Sequence, residues 1–212
     1  MFGGNFQTWK LHSAQDYFMF FAYILAGVMV FWLIAKHMNK QRNHEKAVEK
    51  VSARLKKICG KPGEVLKNAT LNLPEGKMTF DAVLMDKRGV YLVRTYGWGI
   101  KIYGTPDGAM WRREDAKRKE EFENPLLELK KGAAEITKVM EENGVQNLKV
   151  MPMVVFADNF QTPELYLGYG SFSTTYQELK NWYKKQSGVK EVQYDYDKVF
   201  LINLLCTAES FK

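Results

Sequence analysis

Residues 17–35 form an apolar run without a charged side chain, bounded by Asp16 and Lys36. A helix rises about 1.5 Å per residue, so a run of this length reaches almost across a hydrocarbon layer of ~30 Å. The run therefore predicts one transmembrane helix, preceded by residues 1–16 and followed by the rest of the chain.

Basic residues are distributed unevenly about this run. Lys10 is the only basic residue before it, whereas residues 36–61 contain nine Lys or Arg against two Glu. Because loops rich in Lys and Arg stay on the cytoplasmic side, we expect a single-pass protein of the cell membrane with residues 1–16 outside and the remaining chain in the cytoplasm. A cleaved signal peptide is the alternative, although its basic residues would precede a shorter apolar run.

Residues 36–61 are predicted to form a basic juxtamembrane helix that continues from the membrane. Its apolar residues recur at helical spacing, which predicts one face docked on a domain; they are Ala47, Val48, Val51 and Leu55. The charged face is either solvated or in contact with membrane lipid, where a basic residue near an anionic surface contributes ~1 kcal/mol. His37 and His44 fall on this polar face and are predicted to be solvated.

Residues 62–212 carry no excess charge, because their 21 Lys or Arg balance 21 Asp or Glu. This balance argues against a broad DNA-binding face, since phosphate neutralisation supplies most non-specific affinity. A local basic groove stays open as an alternative. Cys59 and Cys206 lie far apart and match no metal or redox spacing, which favours two inert thiols in a reducing compartment.

Residues 62–212 are predicted to form one domain, a mixed β-sheet flanked by helices of the α/β or α+β class. Val, Leu and Tyr enrichment between turn residues predicts strands over 66–73, 79–85, 89–95, 100–103, 109–112 and 148–156. Asn124 and Pro125 are typical of a helix start, and that helix should run to about Glu142. The charged run 112–123 is predicted to be a solvated loop or helix surface, and 158–172 is predicted to be loop-rich. Helices are expected from the 173–175 cap to about 185 and from Asp195 or Asp197 to about 208.

Asp81 stands among apolar residues of a predicted core strand, where an unpaired carboxylate is costly to bury. Arg94 ends the neighbouring strand, so its side chain can face Asp81 across the pair. We expect these two residues to form an ion pair.

Six local motifs occur in a distinctive order: Glu45, residues 80–82, residues 89–93, residues 100–104, Trp111 and Asn124-Pro125. In this order they resemble the nuclease-related domain, or NERD, family of the PD-(D/E)xK nuclease superfamily over residues 43–208. The resemblance implies a restriction-endonuclease-like fold. It also implies a site in which strand carboxylates hold Mg²⁺ and a Lys orients the attacking water.

The chain departs from that family pattern at the residues that carry out catalysis in the family. Where the family has Glu-x-Lys, this sequence has Arg94, Thr95 and Tyr96, and Glu128 replaces the Gln of the helix-start motif. An Arg at the Glu position removes a ligand and places a fixed cation where Mg²⁺ would sit. The resemblance thus implies a degenerate site made of Glu45, Asp81, Arg94 and Tyr96. None of these residues is assigned a catalytic role, and no cofactor is expected.

Three hypotheses of function follow. The first is a catalytically inactive domain that binds or scaffolds a nucleic acid or protein partner at the membrane. The second is a membrane-tethered, Mg²⁺-dependent nuclease in which Asp81 is a metal ligand and Lys101, Asp107 or Glu128 supplies a relocated catalytic group. The third is a homo-oligomer that pairs through the small residues Ala22 and Ala26 of the anchor.

Overall fold

The computed structural model describes residues 13–41, 43–61, 63–73, 76–115, 118–146, 148–158, 161–186 and 198–205. The chain divides into two compact units, 1–40 and 41–212. The first unit contains helix α1, Ala14–Gln41. Ser13 caps this helix, because its hydroxyl accepts from the Asp16 N–H and its own N–H donates to the Asp16 carboxylate.

Helix α1 confirms the helix predicted over residues 17–35. Its segment Ala14–Lys36 is long and apolar enough to cross a membrane, and none of it is buried by the protein. A signal sequence near an N-terminus meets the same criteria of length and composition.

The predicted continuous helix over residues 36–61 is wrong, because α1 ends at Gln41 and a second helix, α2, covers His44–Cys59. Asn43 has an extended backbone, and its side chain accepts from the Glu45 N–H at 2.9 Å. Asn is among the strongest N-cap residues, so it starts a new helix here. The predicted docking face of α2 is confirmed, since Ala47, Val48, Val51 and Leu55 are buried.

The second unit continues in chain order through nine strands and three helices within its described residues. The first group is β1 Glu64–Leu73, β2 Gly76–Asp86, β3 Gly89–Tyr96, β4 Lys101–Gly104, β5 Met110–Glu114, β6 Lys119–Glu123 and α3 Pro125–Glu142. The second group is β7 Val150–Phe156, β8 Glu164–Leu167, β9 Ser173–Thr175, α4 Leu179–Gln186 and α5 Lys198–Leu205. The start predicted for the last helix, at Asp195 or Asp197, lies outside the described residues, as does Cys206.

Sheet 1 has the strand order β1-β2-β3-β7-β9. Strands β1, β2 and β3 pair antiparallel, and β3, β7 and β9 pair parallel. The mixed sheet that the sequence predicts is thereby confirmed. Helices α2 and α4 pack on one face of the sheet and α3 and α5 on the other. The fold is a mixed α+β architecture, as the sequence predicts.

Sheet 2 has the order β6-β5-β4-β8, and two of its strands correct the sequence analysis. The charged run 112–123, predicted as a solvated loop or helix surface, contributes the end of β5 and all of β6. Trp111 and Phe122 are partners in this pair and face the core, while charged neighbours face solvent. The segment predicted as loop-rich contains β8, which pairs parallel with β4.

Residues 173–175, predicted as a helix cap, form strand β9, in which Thr174 pairs with Val155 of β7. Thr is β-branched and suits an edge strand. The hydroxyl of Thr175 also accepts from the Glu178 N–H at 3.3 Å, so this residue contributes to the start of the helix as the sequence predicts. The helix begins later, at Leu179.

Candidate functional site around Asp81

Strands β2 and β3 stop pairing next to Asp81. Their last paired residues at this end are Ala82 and Val93, and beyond them β3 continues beside β7. The Asp81 carboxylate fills the gap by accepting from the Thr95 N–H at 2.6 Å. Asp81 is only 6% exposed, so this hydrogen bond replaces one that the strand ladder would otherwise supply to a buried donor.

Arg94 connects Asp81 to a second carboxylate. One guanidinium nitrogen, Nη1, lies 3.5 Å from Asp81 Oδ1. The other, Nη2, donates to Glu128 Oε2 at 2.7 Å and to the Thr79 carbonyl at 3.0 Å. The expected contact between Arg94 and Asp81 is present, but Glu128 is the closer partner of the guanidinium.

The N-terminal half of α3 brings Glu128 to this position. Asn124 caps the helix by accepting from the Leu126 N–H, and its amide donates to the Gly108 carbonyl at 2.7 Å. One turn beyond Glu128, Gly132 lies so close to the sheet that a Cβ there would be 2.7 Å from the Phe80 ring. The missing side chain lets α3 approach β2 beside Asp81.

His44 is a member of the site that sequence reasoning missed. Its Nε2 lies 3.3 Å from Asp81 Oδ1, although its side chain is 58% exposed. His44 is exposed, as the sequence predicts, but it also contacts Asp81, while the side chain of His37 lies outside the described part of the chain. The neighbouring Glu45 is exposed, and its backbone N–H makes its contact with Asn43.

Tyr96 lies near Asp81, Arg94 and Glu128, and its ring packs against other aromatic rings. The ring stacks on Phe156 at 5.5 Å between centroids and lies 4.8 Å from the ring of Trp98. Burial raises the pKa of the Tyr96 hydroxyl to about 12, with Arg94 opposing the shift. The side chain is thus a neutral phenol near neutral pH.

Trp98 contributes to the same aromatic cluster and to a small cleft. It packs against Phe122, and Arg113 lies over its ring at 4.4 Å. It is only half-buried and lines a cleft of about 370 Å³ beside the ends of β3 and β7.

Two residues proposed as relocated catalytic groups bind elsewhere. Lys101 Nζ lies 3.9 Å from Glu164 on the adjacent strand, and Asp107 pairs with Lys130 at 3.0 Å. Glu128 is the relocation candidate that the structure brings to Asp81. No sequence signal distinguishes it from other helix carboxylates except its place four residues after Asn124.

Comparison with known proteins decides the family. A sequence profile of the nuclease-related domain family matches residues 40–157, which is more than half of the chain. The chain belongs to the NERD family. The PD-(D/E)xK nucleases are the general context of that family. A Bacillus anthracis protein described as uncharacterized is 26% identical over 186 residues, with 82% of each chain covered. No solved structure matches the chain.

The side chains of this NERD domain do not fit the Mg²⁺ site that the superfamily implies. The guanidinium of Arg94 already contacts both carboxylates, with the forked geometry that suits such pairs. Among the described residues, no three His, Cys, Asp or Glu side chains converge as metal ligands. Mg²⁺ in such sites is held by one or two carboxylates, with water and substrate phosphate completing its octahedron, and here the guanidinium of Arg94 engages both nearby carboxylates.

Proposed function

We propose that the chain is a membrane-anchored NERD domain that has lost nuclease chemistry and acts by binding a partner. The observation that carries this proposal is the Arg94 guanidinium, which contacts Asp81 at 3.5 Å and Glu128 at 2.7 Å. A permanent cation held by two carboxylates is a stable substitute for a metal ion at the same place.

Electrostatics oppose the entry of a metal here. Two unit charges about 4 Å apart interact by roughly 4 kcal/mol at an effective dielectric of 20, so Mg²⁺ beside Arg94 is strongly repelled. Moving Arg94 aside costs its hydrogen bonds to Glu128 and the Thr79 carbonyl as well. Tyr96, at the position of the family Lys, supplies no positive charge to orient water.

Membrane anchoring is the second part of the proposal. Helix α1 is long enough to span a bilayer, and the excess of basic residues follows it in the chain. This asymmetry favours a cytoplasmic NERD domain and an external N-terminus in the cell membrane.

A cleavage assay tests the loss of chemistry. Purified full-length chain is incubated with single-stranded and duplex DNA and with RNA, in Mg²⁺ or Mn²⁺, and we expect no cleavage above a chelator control. Metal-dependent cleavage that is lost in both Asp81→Asn and Glu128→Gln would overturn the proposal in favour of a nuclease with a relocated carboxylate. Glu121→Gln, a change at an exposed glutamate of sheet 2, is the matched control because it also removes one carboxylate charge.

Protease accessibility tests the anchoring. Protease added to intact cells should remove a tag at the N-terminus and leave residues 64–212 undigested. Digestion of the domain would contradict the orientation. A mature chain shortened by removal of residues before Lys36 would show a signal peptide instead.

A further inference from the structure

Helix α2 separates its exposed charges into two sides. Four basic residues follow one another at spacings of four, four and three, which place them along one side of the helix; they are Lys46, Lys50, Arg54 and Lys57. Glu45, Glu49 and Lys56 fall on the other edge of the exposed surface. The buried stripe between these edges docks on sheet 1.

The basic side of α2 meets the segment that leads into α4. Arg54 Nη2 donates to the Gln177 carbonyl at 3.4 Å. Lys50 Nζ and the Arg54 guanidinium lie 4.3 and 4.6 Å from the ring centroid of Tyr176. These contacts hold two long basic side chains in place and connect α2 to α4 on the same face of sheet 1.

Helix α4 adds further lysines to this layer. Lys180 and Lys184 are exposed and one helical turn apart, while Leu179 and Tyr183 are buried. We call the resulting surface the basic face, formed by Lys46, Lys50, Arg54, Lys57, Lys180 and Lys184. The opposite face of sheet 1 carries α3, where basic and acidic residues alternate and Lys130 pairs with Asp107.

We propose that the basic face binds anionic phospholipid headgroups of the membrane that α1 enters. This inference rests on the proposed anchoring. Only two residues separate the end of α1 from the start of α2, so a short tether keeps the basic face near the bilayer and raises its effective concentration there. Nucleic-acid phosphates would match the same charges, but the tether favours the lipid.

The expected strength follows from the charge of the membrane surface. Each basic residue near an anionic leaflet strengthens binding by about fivefold, and the attraction falls off within a Debye length of ~8 Å at physiological salt. Six basic residues on one face are sufficient for a contact that depends on lipid charge and on salt.

Lysine footprinting in nanodiscs tests the basic face. Full-length chain is reconstituted in phosphatidylcholine alone or with phosphatidylserine added, and amine labelling rates are read by mass spectrometry. We expect Lys50 and Lys180 to be labelled severalfold more slowly in the anionic discs, with the difference removed by high salt. Lys131 and Lys138 on α3 should be labelled equally in both, because they lie on the opposite face of sheet 1.

Matched variants separate the basic face from overall charge. Replacing Lys46, Lys57 and Lys184 by Gln should abolish the protection of Lys50 and Lys180, whereas replacing Lys119, Lys131 and Lys138 by Gln should preserve it. Equal labelling of wild-type chain in the two kinds of disc would overturn the inference. Protection by duplex DNA but not by phosphatidylserine would also overturn it and assign the surface to nucleic acid.

Failure of the anchor is distinguishable from failure of the basic face. A chain that stays out of nanodiscs contradicts the anchoring. In that case, sedimentation of the chain with phosphatidylserine vesicles but not phosphatidylcholine vesicles supports the basic face. Absence of sedimentation overturns it.

Discussion

The buried carboxylate of Asp81 makes two kinds of interaction, a hydrogen bond to a strand N–H and an ion pair. It accepts from the Thr95 N–H where β2 and β3 separate, and it shares Arg94 with Glu128. Removing it leaves a buried donor without an acceptor, whereas Arg94 keeps Glu128 and the Thr79 carbonyl. The larger part of its contribution to stability is therefore expected from the hydrogen bond.

Two substitutions separate these contributions. Asp81→Ala should lower the free energy of unfolding by about 3 kcal/mol, because it strands the Thr95 N–H and weakens the pairing of Arg94. Asp81→Asn keeps an acceptor for Thr95 and should cost about 1 kcal/mol. Urea denaturation of detergent-solubilised chain measures both. An Asp81→Ala variant as stable as the wild type would indicate a carboxylate held for function rather than for folding.

The raised pKa of Tyr96 predicts a loss of folding stability at alkaline pH. Its pKa is raised from 10 to about 12 by burial, so the fold favours the neutral phenol. The stability gained in this way is complete below about pH 10 and is lost as the pH rises towards 12. Tyr96→Phe should therefore lose less stability than the wild type over that interval, by up to about 2 to 3 kcal/mol. Unfolding midpoints at about pH 9 and about pH 11 compare the two, and equal losses would contradict the assignment.

From the sequence alone, side-chain contacts of the site are predictable only between neighbouring strands of one hairpin. Asp81 and Arg94 follow from the pairing of two adjacent strands, so their contact is predictable. His44 and Glu128 come from helices on opposite faces of sheet 1, and their approach depends on how α2 and α3 pack. No local pattern encodes that packing.

Helix α3 depends on a close approach to the sheet at one residue. A Cβ at Gly132 would lie 2.7 Å from the ring of Phe80, which is buried in the core. Gly132→Ala should therefore destabilise the domain by about 1 to 3 kcal/mol, despite the better helix propensity of Ala.

A compensating change checks the cause of this loss. Phe80→Leu shortens the side chain that the new methyl group meets, so the double variant should recover part of the stability lost in Gly132→Ala. Lys131→Ala, at an exposed position of the same helix, should have little effect. Equal or higher stability of Gly132→Ala alone would show that α3 tolerates a larger separation from β2.

Long, strongly patterned elements were predictable, and short ones were not. The apolar stripe of α3 and the continuous run of β7 specify their elements by themselves, and the residues of both are mostly buried in the structure. Strands β6 and β9 have few apolar residues, and β8 is only four residues long, so all three depend on the hydrogen bonds that neighbouring strands offer. The break before α2 was encoded by the Asn43 cap, which the long basic pattern obscured.

Across the molecule, the net charge of a segment does not show where its charged side chains lie. Residues 62–212 are neutral in sum, yet α4 presents lysines beside the basic side of α2. The second compact unit begins at Gln41 and the family match at residue 40, so α2 is packed into the NERD domain. The predicted boundary at residue 62 followed the change in composition, and buried side chains of α2 show that packing extends across it.

The proposed loss of nuclease chemistry requires that Arg94 take the place of a metal ion between Asp81 and Glu128. Anomalous diffraction from crystals of the chain grown with Mn²⁺ tests it most directly. We predict no anomalous peak between Asp81 and Glu128, and a guanidinium of Arg94 within contact distance of both carboxylates. A Mn²⁺ peak bound to Asp81, with Arg94 displaced, would contradict the account.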